Sequence, residues 1–106
     1  TVNGADVTIT SNILHSGDGN TFFGFPSDDA FRIVTAGSEA LRVDSSQNVG
    51  IGTSSPSAPL HVVNASPELR LQDSDDNGYL ALNHNGANSY VSTTQGGILF
   101  RTGGTT

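Results

Sequence analysis

The sequence predicts an all-β chain with no α-helix of note, and three observations carry that expectation. Ser, Thr, Asn, Gly and Asp supply 54 of the 106 residues, and these types favour turns over helix interiors. Apolar residues alternate with polar ones in tracts of about three to five residues, the short end for strands. From Ser38 to Val49 the chain is free of Gly and Pro. Even there Leu41 and Val43 alternate instead of recurring at three and four, and the second half is turn-rich.

The expected strands follow in order. Val7 and Ile9 alternate with Thr8 and Thr10, Phe31 and Ile33 flank Arg32, and Leu41 and Val43 flank Arg42. Val49 and Ile51 alternate with Gly50 and Gly52, and Leu60 and Val62 enclose His61. Leu69 and Leu71 flank Arg70, Leu80 and Leu82 flank Ala81, and Ile98 and Phe100 flank Leu99. Turn clusters separate them at 16–20, 75–78 and 83–86. Short strands punctuated in this way suggest a sandwich, a barrel or a stacked β-structure.

Ile, Leu, Val and Phe together number 26. That suffices to avoid disorder but is thin for a compact core. Strands with one or two large apolar residues each cannot offset a backbone ordering cost of about 1–2 kcal/mol per residue, and a lone copy leaves strand edges open. Self-association is therefore expected, with the apolar stripe of each copy meeting its mates. A weak internal repeat supports an array: residues 31–38 align without gaps on residues 98–105. The expected division is a first unit at 1–66 and a second, truncated unit at 67–106.

The net charge of −6 comes from 10 carboxylates against 4 arginines, without lysine. No cationic stripe is available for nucleic acid or for anionic membrane surfaces. No apolar run approaches the roughly 20 residues of a membrane-spanning helix, so membrane insertion is not expected. Cysteine is absent, which removes disulfides and thiolate metal sites.

From Ala40 onward the residues resemble a known pattern. Leu41-Arg42-Val43-Asp44-Ser45-Ser46-Gln47-Asn48-Val49-Gly50-Ile51-Gly52-Thr53-Ser54-Ser55-Pro56, continuing to Pro59-Leu60-His61-Val62, resembles a segment of bacteriophage tail fibres. Such segments often lie upstream of a self-cleaving chaperone domain of the endosialidase type. Gly37 to Arg42 looks like its lead-in, and Pro67 to Asp73 like the start of the unit that follows. The resemblance implies an elongated homotrimer, intertwined or stacked in the manner of a triple-stranded β-helix or β-prism. It also implies neighbouring fibre modules as partners and an extracellular place on the virion. The trimer core would be Phe22, Phe31, Ile33, Leu41, Val43, Val49, Ile51, Leu60, Val62, Leu69, Leu71, Leu80, Leu82 and Phe100.

Individual residues are weighed against their plain structural roles. Gly50 and Gly52 suit the close approach of another backbone, as at a crowded three-fold axis; the bland account is a Gly-rich turn. Arg42 and Arg70 are expected to pair between chains with carboxylates such as Asp44 and Asp73, against an exposed outer face where pairs contribute about 0–1 kcal/mol. Asp73 to Gly78 matches half a calcium loop, but His84 stands where the bidentate Glu belongs, so an acidic turn is the better account and no metal is assigned. His61 is more simply a hydrogen-bonded strand residue than an axial ligand. No Gly-x-Ser-x-Gly elbow exists, and the Asp28-Asp29 and Asp75-Asp76 pairs sit in turn-like tracts, so neither catalysis nor a cofactor is expected. Tyr79 and Tyr90 are the aromatic residues suited to surface contact. The expected function is a structural shaft that positions a receptor-binding tip, the alternative being a module that itself recognises host surface glycan.

Overall fold

A computed structural model describes residues 2–103, which divide into two compact units at Val63/Asn64. Among the described residues every regular element is a strand.

The first unit begins with a two-stranded hairpin, β1 (Val2–Asn3) and β2 (Asp6–Val7). Its main body is a six-stranded sheet in simple chain order: β3 (Asn12–His15), β4 (Asp18–Gly24), β5 (Phe31–Thr35), β6 (Ser38–Val43), β7 (Val49–Ile51) and β8 (Leu60–Val62). Neighbours are antiparallel through β7, and β8 joins β7 in parallel. The turns use the chemistry that their lengths require. Ala36 and Gly37, both at positive φ, close β5 onto β6, the backbone form of the favoured two-residue hairpin. Asp44 Oδ1 accepts from the backbone N–H groups of Ser46 and Asn48, each at 2.9 Å, and so folds the turn into β7.

Parallel neighbours ordinarily need a crossover of about a dozen or more residues. Here residues 52–59 suffice, because two glycines clear the way. A Cβ on Gly50 would lie 2.5 Å from the Thr53 carbonyl oxygen and 3.5 Å from Pro56 Cβ. The loop thus crosses the sheet where a side chain would stand. Gly52, at φ +76, starts the reversal, and a Cβ there would collide with the Val63 carbonyl. The backbone that comes close to both glycines belongs to the same chain. Ser57 N–H donates to His61 Nδ1 at 3.1 Å, pinning the loop to β8.

The second unit is a three-stranded antiparallel sheet in the order β11-β10-β9, formed by β9 (Glu68–Gln72), β10 (Tyr79–His84) and β11 (Ser89–Thr93).

Two expected strands are corrected. The tract Val7–Thr10 is strand only at Val7, since β2 pairs with β1 over two residues and Ile9 continues without a partner strand. Residues 98–100 form no strand, although their counterpart at 31–35 does. That counterpart lies between β4 and β6, which supply ladder partners on both sides. No strand pairs with 98–100 among the described residues, and residues 104 and 105 of the repeat lie outside them. Conversely β3, β4 and β11 arise where alternation gave no clear reading.

The crossover makes a direct prediction. Gly96 also has positive φ, but open space surrounds it. Gly96→Ala should cost only the left-handed penalty of about 1–2 kcal/mol. Gly52→Ala adds a backbone collision and should cost about 3 kcal/mol or more. Hydrogen exchange at Val63 N–H, which donates to the Ile51 carbonyl at 2.9 Å, reads the loss of the β7–β8 ladder directly.

Candidate functional site: an uncovered apolar sheet face

Directly paired residues share a face of a sheet, so the register identifies what each face presents. One row runs across all six strands as Ile13, Phe23, Ile33, Leu41, Ile51 and Val62. A second row on the same face runs Phe31, Val43, Val49 and Leu60. Phe25 extends it, its ring centroid 5.9 Å from that of Phe31, while Phe23 lies 6.1 Å from Phe31 on the other side. A groove of about 580 Å³ touches Ile13, Phe23, Phe31 and Ile33 at the β3–β5 end.

No covering layer buries this face. Ile13, Phe23, Phe25, Ile33, Ile51 and Leu60 are between 37% and 55% exposed, and among the described residues of the unit the buried apolar side chains are Ala30, Val34 and Pro56. The exposed part of the eleven side chains amounts to roughly 700 Å², above the few hundred Å² of contiguous apolar surface that soluble monomers usually show. The second unit repeats the pattern on its own sheet. Leu69, Leu71, Leu80, Leu82 and Val91 share one face by register and are 40–64% exposed, and among the described residues of the unit only Ala81 is buried, on the opposite face.

The other face of the six-stranded sheet is mixed, with an apolar row of Leu14, Phe22 and Val34 at the β3–β5 end beside a largely polar central row. Its central row reads Asn12, Gly24, Arg32, Arg42, Gly50 and His61. A β-bulge at Ala40 makes Val34 pair with Glu39, which turns Glu39 onto the arginine face. Glu39 then accepts two hydrogen bonds from Arg42, at 2.9 Å from Nε and 2.7 Å from the terminal nitrogen. Arg32 approaches the same carboxylate at 3.8 Å and lies over the Phe22 ring, 5.3 Å from its centroid. The bidentate pair raises the Arg42 pKa despite some desolvation.

On the second unit Arg70 Nε donates to Glu68 at 2.5 Å, and the guanidinium stacks on Tyr79 at 3.8 Å. The hydrogen bond from Arg70, then that from Asn83, lowers the Glu68 pKa.

The expected core residues therefore separate. Phe31, Ile33, Leu41, Val43, Val49, Ile51, Leu60 and Val62 stand together on one apolar face, and Leu69, Leu71, Leu80 and Leu82 on the other. Phe22 lies on the polar face beneath Arg32, and Phe100 is 89% exposed outside any strand. Arg42 and Arg70 take Glu39 and Glu68 of their own chain as partners. Asp44 and Asp73 spend their carboxylates on turns, Asp73 Oδ1 accepting from Asp75 N–H at 2.8 Å. Ile13 and Val91, absent from the expected set, belong to the apolar faces together with the clustered Phe23 and Phe25. Ile13-Leu14 and Phe22-Phe23 are adjacent apolar pairs, which send one member to each face and hide the alternation. No protein-family model, curated protein or solved structure matches this chain.

The paired carboxylate sets a pH dependence. Because folding depresses the Glu68 pKa, its stabilising contribution is present above the unfolded value near 4.5 and is lost as pH falls through the lower folded value. A carbon-detected titration of Glu68 should give a midpoint below the ordinary glutamate value near 4.5. Arg70→Ala should return it toward the ordinary value, and an unchanged midpoint would exclude this pairing in solution.

Proposed function

We propose that this chain is a structural shaft segment of a trimeric bacteriophage tail fibre, holding a receptor-binding tip away from the virion in the extracellular medium. The observation that carries the reading is the pair of uncovered, predominantly apolar sheet faces. Water penalises such faces, and copies of the same chain are the covering that a symmetric assembly provides. Roughly 700 Å² on the first unit is close to the ~800 Å² per partner of a standard stable interface. The number three comes from the resemblance of residues 37–62 to fibre segments, with either a β-helix-like or a β-prism-like arrangement of the chains.

The opposite faces suit the outside of such an assembly, since Arg42 and Arg70 satisfy their charges within the chain. The function is mechanical: once the apolar faces meet, separating the chains and unfolding them become one event. Partners are the other two copies and the adjoining fibre modules, and the reading includes no catalytic step and no cofactor.

Light scattering over a dilution series tests it. The expected mass is three times the chain mass of 10.9 kDa, independent of concentration. Ile33→Asp, at the centre of the apolar row, should abolish that species, leaving monomers or unfolded chain. A folded wild-type monomer would overturn the reading, as would a trimer that tolerates the aspartate. A stable dimer would keep the covered face and reject the fibre.

A further inference from the structure

We propose that Arg32 anchors a binding site for a monocarboxylate with a compact apolar body, the anion meeting the guanidinium and the body resting on Leu14 and Phe22. The charges of the six-stranded sheet call for a further anion. Arg32 stands directly opposite Arg42, and like charges so placed destabilise a sheet unless they are compensated. Glu39 supplies one negative charge for the two, and Arg42 occupies both of its carboxylate oxygens. The nearest approach of Arg32 to that carboxylate is 3.8 Å, too long for a hydrogen bond. Among the described residues Arg32 makes no hydrogen bond, although a guanidinium carries five N–H donors.

The side chain is nevertheless held in place. Its guanidinium lies over the Phe22 ring, 5.3 Å from the centroid, and Nε is shielded from solvent. The terminal nitrogens are not shielded, since Nε alone is a buried, unpartnered atom of this side chain, which is 29% exposed. A ligand therefore meets the terminal groups and has no need of Nε. A carboxylate suits them, because its two oxygens lie in one plane and match the planar N–H fork.

The neighbouring row supplies the apolar part. Leu14, Phe22 and Val34 pair across β3, β4 and β5 on the face that carries Arg32. Val34 is buried, Phe22 is half-buried beneath the guanidinium, and Leu14 is 54% exposed on the edge strand. A ligand that joins charge to apolar surface gains from both rows, while a bare anion or a neutral apolar compound gains from one. A dianion is disfavoured, because Glu39 stands 3.8 Å from Arg32 and the chain carries a net charge of −6. The site lies on one sheet of one chain, opposite the large apolar face, and does not depend on the proposed assembly.

Arginine Nε–H and backbone amide spectra of the intact chain provide the test, in titrations with benzoate, acetate, benzyl alcohol and inorganic phosphate at constant ionic strength. Benzoate should move the Arg32 Nε–H signal and the Leu14 and Phe22 amides saturably at millimolar concentration, leaving Arg42 and Arg70 in place. Acetate and benzyl alcohol should each bind about fivefold more weakly or worse, and phosphate no better than acetate. Arg32→Gln should abolish the benzoate response. Leu14→Ser, at an exposed edge position, should weaken benzoate about threefold and leave acetate unchanged. Equal movement of all four arginines, which marks general ionic screening, would overturn the proposal. So would a benzoate response no stronger than that to benzyl alcohol, or undiminished binding by a folded Arg32→Gln chain. If Arg32→Gln does not fold, Leu14→Ser and the ligand comparison decide the matter alone. Because the solution mass is measured separately, failure here leaves the shaft reading standing, and the reverse holds.

Discussion

A sheet can expose its backbone edges to water at modest cost, but it cannot expose a continuous apolar face without either being covered or aggregating. Everything else in this chain depends on that constraint. Ten side chains in two cross-strand rows, from Ile13 to Val62 and from Phe31 to Leu60, stand on one side of the first sheet. The interior of the unit is little more than Ala30, Val34 and the loop packed over Gly50. A chain that places its large residues in this way builds little core of its own, and in the proposed assembly its stability comes from covering that face.

The polar side shows how the chain keeps its two faces distinct. Two devices are responsible. The bulge at Ala40 rotates Glu39 out of the apolar register and brings it between Arg32 and Arg42, where its one negative charge lies against two neighbouring like charges. The Gly50-Ile51-Gly52 sequence lets residues 52–59 cross the polar face at a position with no side chain, so the crossover never touches the apolar one. Both devices shift bulk and charge to the same side. The second unit follows the same logic with simpler means, Arg70 lying between Glu68 and the Tyr79 ring while five aliphatic side chains occupy the opposite face.

The absence of lysine and the in-chain pairing of the arginines also bear on specificity between surfaces. With Arg42 and Arg70 occupied, the polar faces present mainly carboxylates, amides and hydroxyls. Such surfaces repel one another weakly at a net charge of −6, which disfavours association through these faces. Attraction is left to the apolar faces.

Alternation alone determined a good part of this protein. At Phe31-Arg32-Ile33, Leu41-Arg42-Val43 and Leu69-Arg70-Leu71 the strand and the face of each side chain were legible, because the side-chain period of a strand is two, whereas the same pattern at Val7-Thr8-Ile9 found no partner strand beyond Val7. The excess of turn formers excluded helix, and the glycines at 50 and 52 announced a close backbone approach. Tertiary structure decided the rest. Adjacent apolar pairs in β3 and β4 had no readable face until their neighbours set the register. The approach at the glycines proved to be the chain's own crossover, since only the parallel placement of β8 brings Thr53 and Val63 there. Glu39 reached the arginines only through a bulge, a one-residue slip that local sequence does not encode because it is fixed by pairing with the next strand.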